Sequence, residues 1–384
     1  MSEAIVHVGM HKTGTTSIQR VFGRHRPRLL EQGFLFPAFA QNHFDIHTAF
    51  TSEPFKSTMV RARGLKTQGE IDAIREGVLA SVEAEIRDHP DAKLLLVAED
   101  LSTLDSAGTG RFRAWLDAAG VGRTTIHIYL RDPISFWESL IQQSIKGGHQ
   151  IDFAREARGL TRVRAYRPLL EAFAGAFGQE NVRPHIFAAD RLLGGDVVRD
   201  FADKIGLDIE GMELVRANES LSRDAMLFLN EMNRRVDTYG DHGRSLLRDG
   251  LLQAARTHKG EKFKADLAIA QRIIERSAED RAYLAETWFD GDDPFIEQMQ
   301  RRIGELEAAP ASETGLDHYE LGSAFEVMTH VYRQLKEENL RLAADRFRLK
   351  SVLKRNADDP KRAEEFMEKS KRLKRELAAL EGGD

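Results

Sequence analysis

Four short apolar runs interrupt an otherwise mixed chain: AIVHVG at 4–9, KLLLVAE at 93–99, TTIHIYL at 124–130 and VRPHIFA at 182–188. They are rich in Val, Ile and Leu and too continuous to alternate with polar residues, the pattern of strands buried on both faces of a parallel sheet. Between them apolar positions recur at helical period, over 71–87 and 134–146. Strands alternating with helices at this rhythm predict an α/β fold, a parallel sheet flanked by helices. After about Asp190 the strand signal fades, and helical period returns over 190–205, 222–236 and 266–288.

The stretch 307–318 carries Pro, Gly and small residues and reads as a linker. The expected organisation is an α/β domain over 1–306, with a helical region from about 190, the linker, and a charged helical tail over 319–384. In the tail Met328, Leu335, Leu342 and Leu349 recur every seven residues, which sets them along one helix seam. At NADDP, Asp359 can cap and Pro360 can open a second helix, on which Phe366, Leu373 and Leu380 repeat with Leu377 alongside. Such helices fit an antiparallel hairpin, a bundle between chains or a stripe packed on the same chain. A homo-oligomer formed through them is one expectation.

Composition narrows the class. The chain has 384 residues and a formal net charge of −5, against the basic balance of a general nucleic-acid binder. From Val331 onward, 15 Lys/Arg face 11 Asp/Glu, a net of +4, which leaves −9 upstream. There is no cysteine, so disulfides and thiolate metal sites are excluded. The first residues reach a polar loop by His11, too early for a signal peptide's apolar core. No window approaches about 18 apolar residues. A cytoplasmic protein is expected.

The first loop carries candidate chemistry. In VHVGMHKTGTTSIQ, Gly9 and Gly14 have the spacing of a phosphate-binding P-loop, G-x-x-x-x-G-K-[ST]. The lysine, however, sits inside the loop at Lys12, with Thr15 and Thr16 after the second glycine. A glycine turn between strand and helix offers backbone N–H groups and a helix N-terminus to an anion, and Thr13, Thr15 and Thr16 add hydroxyls. A lysine at the crown suits a shorter ligand, one phosphate below and a transferable group beyond, which makes a metal less necessary.

GMHKTGTTSIQ resembles the 5′-phosphosulfate loop of sulfotransferases that use 3′-phosphoadenosine-5′-phosphosulfate (PAPS), whose fold is similar to the P-loop kinases. The resemblance implies that Lys12 contacts the oxygen bridging phosphate and sulfate, while His11, Thr13, Gly14, Thr15 and Thr16 wrap the 5′-phosphate. The family's second marker is an arginine closing a strand with a serine eight residues on, both on the cofactor's 3′-phosphate. IYLRDPISFWESLIQQ supplies Arg131 and Ser139 at that spacing. Arginine suits a terminal phosphate because its planar fork donates bidentately and stays charged. Softer likeness to the family's bacterial branch extends over about 4–295, including ANESLSRDAMLFLNEMNR and AYLAETWFDGDDPF, and excludes the tail. Many members close a late Lys/Arg–Gly segment over the 3′-phosphate; THKGEKF offers Lys259 and Gly260, and equally reads as a solvated basic loop.

Sulfuryl transfer to a hydroxyl or amine also needs a proton acceptor. AFAQNHFDIHTAF holds His43, Asp45 and His47 in five residues, with Gln41 where some glycan sulfotransferases carry Glu. His43 is the first choice, because histidine works near neutral pH without a large shift; His47, Asp45 and Glu99 are the alternatives. The acceptor is expected to be a carbohydrate or glycolipid, as in bacterial relatives. Two other readings remain: a kinase-like phosphotransferase with Glu99 or Asp100 on Mg²⁺, and a nucleotide-fold scaffold with an interaction tail.

Overall fold

The four apolar runs become strands of one parallel sheet, and a fifth strand that pattern did not reveal joins its edge. The structure, a computed structural model, describes residues 2–38, 44–57, 60, 63–159, 163–214, 220–234, 239–240, 243–244, 246–308, 321–356 and 360–381. The strands are β1 (Ser2–His7), β2 (Phe34–Leu35), β3 (Lys93–Val97), β4 (Val121–Leu130) and β5 (Val182–Ile186). Their order is β2-β3-β1-β4-β5, and every pairing is parallel. β1 is therefore central, with Val6 opposite Leu96 on one side and Ile126 on the other. Two residues are too few to form a hydrophobic pattern, which is why β2 escapes a sequence reading.

Alternate residues face opposite sides of the sheet. Ile5, Leu95, Val97 and Tyr129 pack with Ile18, Val21 and Phe22 of the helix Thr15–Arg24 and with Phe201 of the helix Val197–Ile205. Helices Ser106–Ala118 and Arg167–Phe177 pack on β4, bringing Phe112, Phe173 and Phe177 into ring contact. Each such side chain, fully buried, contributes about 1.5–3 kcal/mol. The expected helix at 190–205 begins only at Val197, because Asp196 accepts from the Val198 and Arg199 N–H groups and caps it there. The expected helix at 266–288 is two helices, Leu267–Arg276 and Ala278–Trp288. Ser277, between them, donates back to the Ile273 carbonyl.

The chain divides into two compact units. The first comprises Met1–Ser139, Gly159–Asn218 and Leu267–Ala309, and the second Leu140–Arg158, Glu219–Asp266 and Pro310–Asp384. In the second unit the long helix Leu321–Asn356 packs on Arg223–Met232 and Leu246–Thr257, Leu335 seating so close to Gly250 that a Cβ there would lie 2.9 Å from its Cδ2. It then forms an antiparallel hairpin with Pro360–Glu381. Ala344, Ser351, Ala363 and Ser370 are buried, and Ser351 and Ser370 donate across the seam to the Ala363 and Ala344 carbonyls, both at 2.8 Å. Phe347 stacks on Phe366.

The hairpin is one of the expected arrangements, but its seam is not the leucine heptad. Met328, Leu342 and Leu349 are 53%, 60% and 64% exposed, because small residues let the two helices approach on another face. Pro360 opens the second helix as expected, while Asp359 lies outside the described residues, as do the side chains of Leu377 and Leu380. Among the described residues no helix is long and apolar enough to cross a membrane.

A row of three histidines crosses β1, β4 and β5. His7 pairs in register with His127, and His127 Nδ1 lies 3.0 Å from His185 Nε2. Burial and mutual repulsion push them from 6.5 down to about 3 for His7 and about 2 for His185, and burial beside Arg183 and Lys204 pushes His127 to about 4. An unfolded chain takes up these protons below pH 6.5, whereas the folded chain refuses them until about pH 4 and lower. Folding stability should thus be full above pH 6.5 and fall as pH drops toward 4, each histidine adding up to about 1.4 kcal/mol per pH unit. Urea denaturation between pH 7.5 and 4.5 measures this slope, and His185→Gln should flatten it.

Candidate active site

The loop after β1 is bent by residues that the geometry requires. Gly9 and Gly14 have φ of +94° and +84°. A Cβ on Gly9 would lie 3.0 Å from the Glu99 Cα, and one on Gly14 would lie 2.4 Å from Val197 Cγ1. Lys12 at the crown also has positive φ, +67°, a conformation that costs a non-glycine residue about 1 kcal/mol or more and is retained where surrounding structure imposes it. Three contacts anchor the loop to β4 and to itself: Met10 N–H donates to the Tyr129 carbonyl at 3.2 Å, Tyr129 N–H to the Gly9 carbonyl at 2.7 Å, and Thr13 Oγ1 to the Met10 carbonyl at 2.6 Å. The Thr13 hydroxyl is thus spent inside the loop, leaving its backbone N–H as its possible contribution to a ligand.

The helix Thr15–Arg24 starts directly from Gly14, with no capping side chain and no acidic residue in its first turn. Its first N–H groups and its positive dipole end face the loop without a protein acceptor from a cap. Thr15 is buried, and its Oγ1 has no hydrogen-bond partner among the described residues. A buried hydroxyl left unpaired costs about 1–3 kcal/mol. Two cradling glycines, an uncapped helix start and this hydroxyl together fit a bound oxyanion. Behind the loop, Gln19 donates to the Val97 carbonyl at 2.7 Å and locks the helix to the end of β3.

The second motif meets the first across 119 residues of sequence. Arg131, at the end of β4, donates through Nη1 to the Lys12 carbonyl at 3.2 Å and to Ser139 Oγ at 2.7 Å, and its guanidinium lies 5.8 Å from the Phe187 ring centroid. Asp132 Oδ1 accepts the Ser135 N–H at 2.9 Å and closes the first turn of the helix Pro133–Lys146, which carries Ser139. Tyr166 donates its hydroxyl to the Arg131 carbonyl. Burial lowers the pKa of Arg131 and of Lys12; Glu99 works the other way on Lys12. Neither cation has a carboxylate within ion-pair distance among the described residues.

The turn Glu99–Thr103, which follows β3, gathers the remaining candidates. Asp100 Oδ1 lies 2.9 Å from His11 Nε2, and the pair holds Asp100 below the usual carboxylate range. Thr103 Oγ1 lies 3.0 Å from His47 Nε2, so the helix Phe44–Phe50 brings His47 to the same turn. Burial keeps the His47 imidazole neutral, pushing its pKa down against the pull of Asp100. Burial raises Glu99. Asp45 is held by Arg63 Nη1 at 2.5 Å. His43 lies outside the described residues.

Sequence reasoning missed one member of this group. Arg164, on the segment before Tyr166, donates through Nη2 to the Ser102 carbonyl at 2.5 Å. A single arginine in a loop carries no signal of its own, and only the tertiary structure brings it to the turn after β3. Lys259 and Gly260 belong to the second unit, on an exposed loop pinned to the helix Arg223–Met232. There Arg223 N–H donates to the Glu261 carbonyl at 2.7 Å, and Ser222 Oγ lies 2.9 Å from His258 Nδ1.

No protein-family model matches the chain, and no curated protein does. Among solved structures it is similar to the crystal structure of a sulfotransferase from Alicyclobacillus acidocaldarius, at 16% identity and a TM-score of 0.33, over 61% of this chain and 93% of that one. At that distance the likeness carries no argument about chemistry, which rests on the residues.

The orphan hydroxyl yields a direct test of the anion site. Thr15→Val keeps the shape and removes the unpaired oxygen, so the melting temperature should stay level or rise. Affinity for 3′-phosphoadenosine 5′-phosphate (PAP) should fall by about tenfold or more, as calorimetry would measure. A destabilised variant with unchanged affinity would mean that the hydroxyl serves the fold.

Proposed function

We propose that the chain is a sulfotransferase that moves a sulfuryl group from PAPS to a hydroxyl or amine. The observation carrying this reading is that Arg131 reaches both Ser139 and the Lys12 carbonyl, so the residues suited to a 3′-phosphate and those suited to a 5′-phosphosulfate share one sheet edge. Ligands of parallel α/β sheets bind at this carboxyl edge. The residues fit the cofactor: Arg131 and Ser139 would hold its 3′-phosphate, and the Gly14–Thr16 N–H groups with the Thr15 hydroxyl its 5′-phosphate. His11 and Thr13 would line that cradle, and Lys259 and Gly260 are proposed as a further closing segment. PAPS, when bound, supplies an activated sulfuryl group.

Lys12, half-buried and without an ion-pair partner among the described residues, holds positive charge at the loop crown, where a departing phosphate oxygen gains negative charge. His43 is the proposed base and His47 its alternative; the neutral, buried His47 imidazole is in a state to accept a proton. A carbohydrate or glycolipid is the proposed acceptor class, and the cytoplasm the proposed location. A Mg²⁺-dependent phosphotransferase draws less support, because Asp100 is engaged by His11 and burial disfavours the charged form of Glu99.

We also propose that two copies pair through the long tail helix. Leu342, Leu349 and Val352 are exposed on it.

PAP should bind far more tightly than AMP, and Arg131→Ala should erase most of that preference, since a hydrogen bond to a charged group is worth about 1.5–3 kcal/mol. Calorimetry with equal affinities for both nucleotides on the unaltered protein would sink the cofactor assignment. For the tail, Leu342→Glu with Leu349→Glu should turn a dimer into a monomer in light scattering, with the melting temperature of the catalytic unit retained. A monomeric starting protein would refute the pairing.

A further inference from the structure

We propose that Arg164 receives an acidic group of the acceptor, so that the molecule to be sulfated carries a carboxylate, phosphate or sulfate of its own. The proposal rests on the sulfotransferase reading for the identity of the neighbouring cofactor, and on the structure for everything else.

Arginine cannot shed its charge, and a guanidinium removed from water is costly unless an anion or several acceptors compensate it. The other partly buried arginines of the first unit follow that rule: Arg281 pairs with Asp293, Arg302 with Glu138 at 2.6 Å, and Arg26 with Glu85 at 2.9 Å. Arg164 and Arg131 do not. Among the described residues Arg164 has the Ser102 carbonyl as its hydrogen-bond partner and no carboxylate within ion-pair distance. A neutral glutamine could brace the same carbonyl without that cost, so bracing alone does not account for a cation. Four further N–H donors of its planar fork remain for a ligand, in the geometry that grips an oxyanion bidentately.

Its position separates it from the cofactor residues. Arg131 docks on the loop after β1, through the Lys12 carbonyl. Arg164 docks on the turn after β3, at Ser102, between Asp100, which holds His11, and Thr103, which holds His47. Tyr166, whose hydroxyl is taken by the Arg131 carbonyl, interacts electrostatically with both arginines. Arg164 therefore sits on the same turn that His47 reaches.

The test uses matched probes on the PAP-saturated full-length protein: methyl glucoside against methyl glucuronide, glucose against glucose 6-phosphate, and 2-(4-hydroxyphenyl)ethanol against 4-hydroxyphenylacetate. Calorimetry should give at least one anionic member about a tenfold advantage over its neutral partner, and the pair in which it appears tells carboxylate from phosphate. Arg164→Gln, which keeps a donor for Ser102, should abolish the advantage, and Arg164→Lys should restore part of it, with PAP affinity unchanged in both. The proposal is overturned if no anionic probe outbinds its partner, if the advantage survives Arg164→Gln, or if that variant instead loses its preference for PAP over AMP. PAP titration of the unaltered protein is a separate arm: its failure would strike the cofactor reading, while the probe comparison repeated without PAP still judges Arg164.

Discussion

The architecture of the site depends on one guanidinium that has no carboxylate within ion-pair distance among the described residues. Arg131 ends β4, reaches back to the Lys12 carbonyl and forward to Ser139, and is held from behind by Tyr166 and Phe187. A carboxylate in its place of contact would have satisfied the charge and closed the site. Because backbone carbonyl and hydroxyl acceptors satisfy the geometry but not the charge, the arginine fixes the crown of the first loop while keeping its field for an incoming anion. The left-handed backbone at Lys12 belongs to the same constraint: the loop must turn there for its carbonyl to meet Arg131 while its side chain stays at the crown.

The charges around that anchor are arranged in opposition. Lys12, Arg131 and Arg164 lack ion-pair partners among the described residues, whereas Asp100 is claimed by His11. Burial pushes the Glu99 carboxyl, under Gly9, upward, while Glu99 in turn favours the charged form of Lys12. Such an arrangement is poor for stability and good for capturing a multiply charged ligand, whose binding energy repays the desolvation already spent by the fold.

How much of this was legible in the sequence follows from how local each signal is. The loop of Gly9 to Thr16 could be read because its geometry is fixed by residues adjacent in sequence, and Arg131 with Ser139 because two helical turns separate them. The sheet's core strands were legible from continuous apolar runs, while β2 was too short to register. Arg164 and His47 acquire meaning only from the turn at Glu99–Thr103, which tertiary packing brings to them. In the tail the heptad leucines are the loudest sequence feature, yet Ala344, Ser351, Ala363 and Ser370 make the seam. A row of small residues draws little notice in a hydrophobicity pattern, although it permits the closest approach of two helices and the serine-to-carbonyl bonds across them.

The displaced lysine that marks this loop has a structural reason. In the order G-x-x-x-x-G-K-[ST] the lysine opens the helix and points along a long polyphosphate. Here the residue at the helix start is Thr15, short and buried, and Val197 crowds Gly14 so closely that a Cβ there would lie 2.4 Å from its Cγ1. A long cationic side chain at that buried threonine's position would have to leave the core-facing side of the helix or displace the packing of Val197–Ile205. Moving the cation to Lys12 keeps the helix start small and puts the charge at the loop crown, within the field of Arg131 and Glu99. That placement supports the proposed phosphosulfate over the longer chain of phosphates a kinase must span.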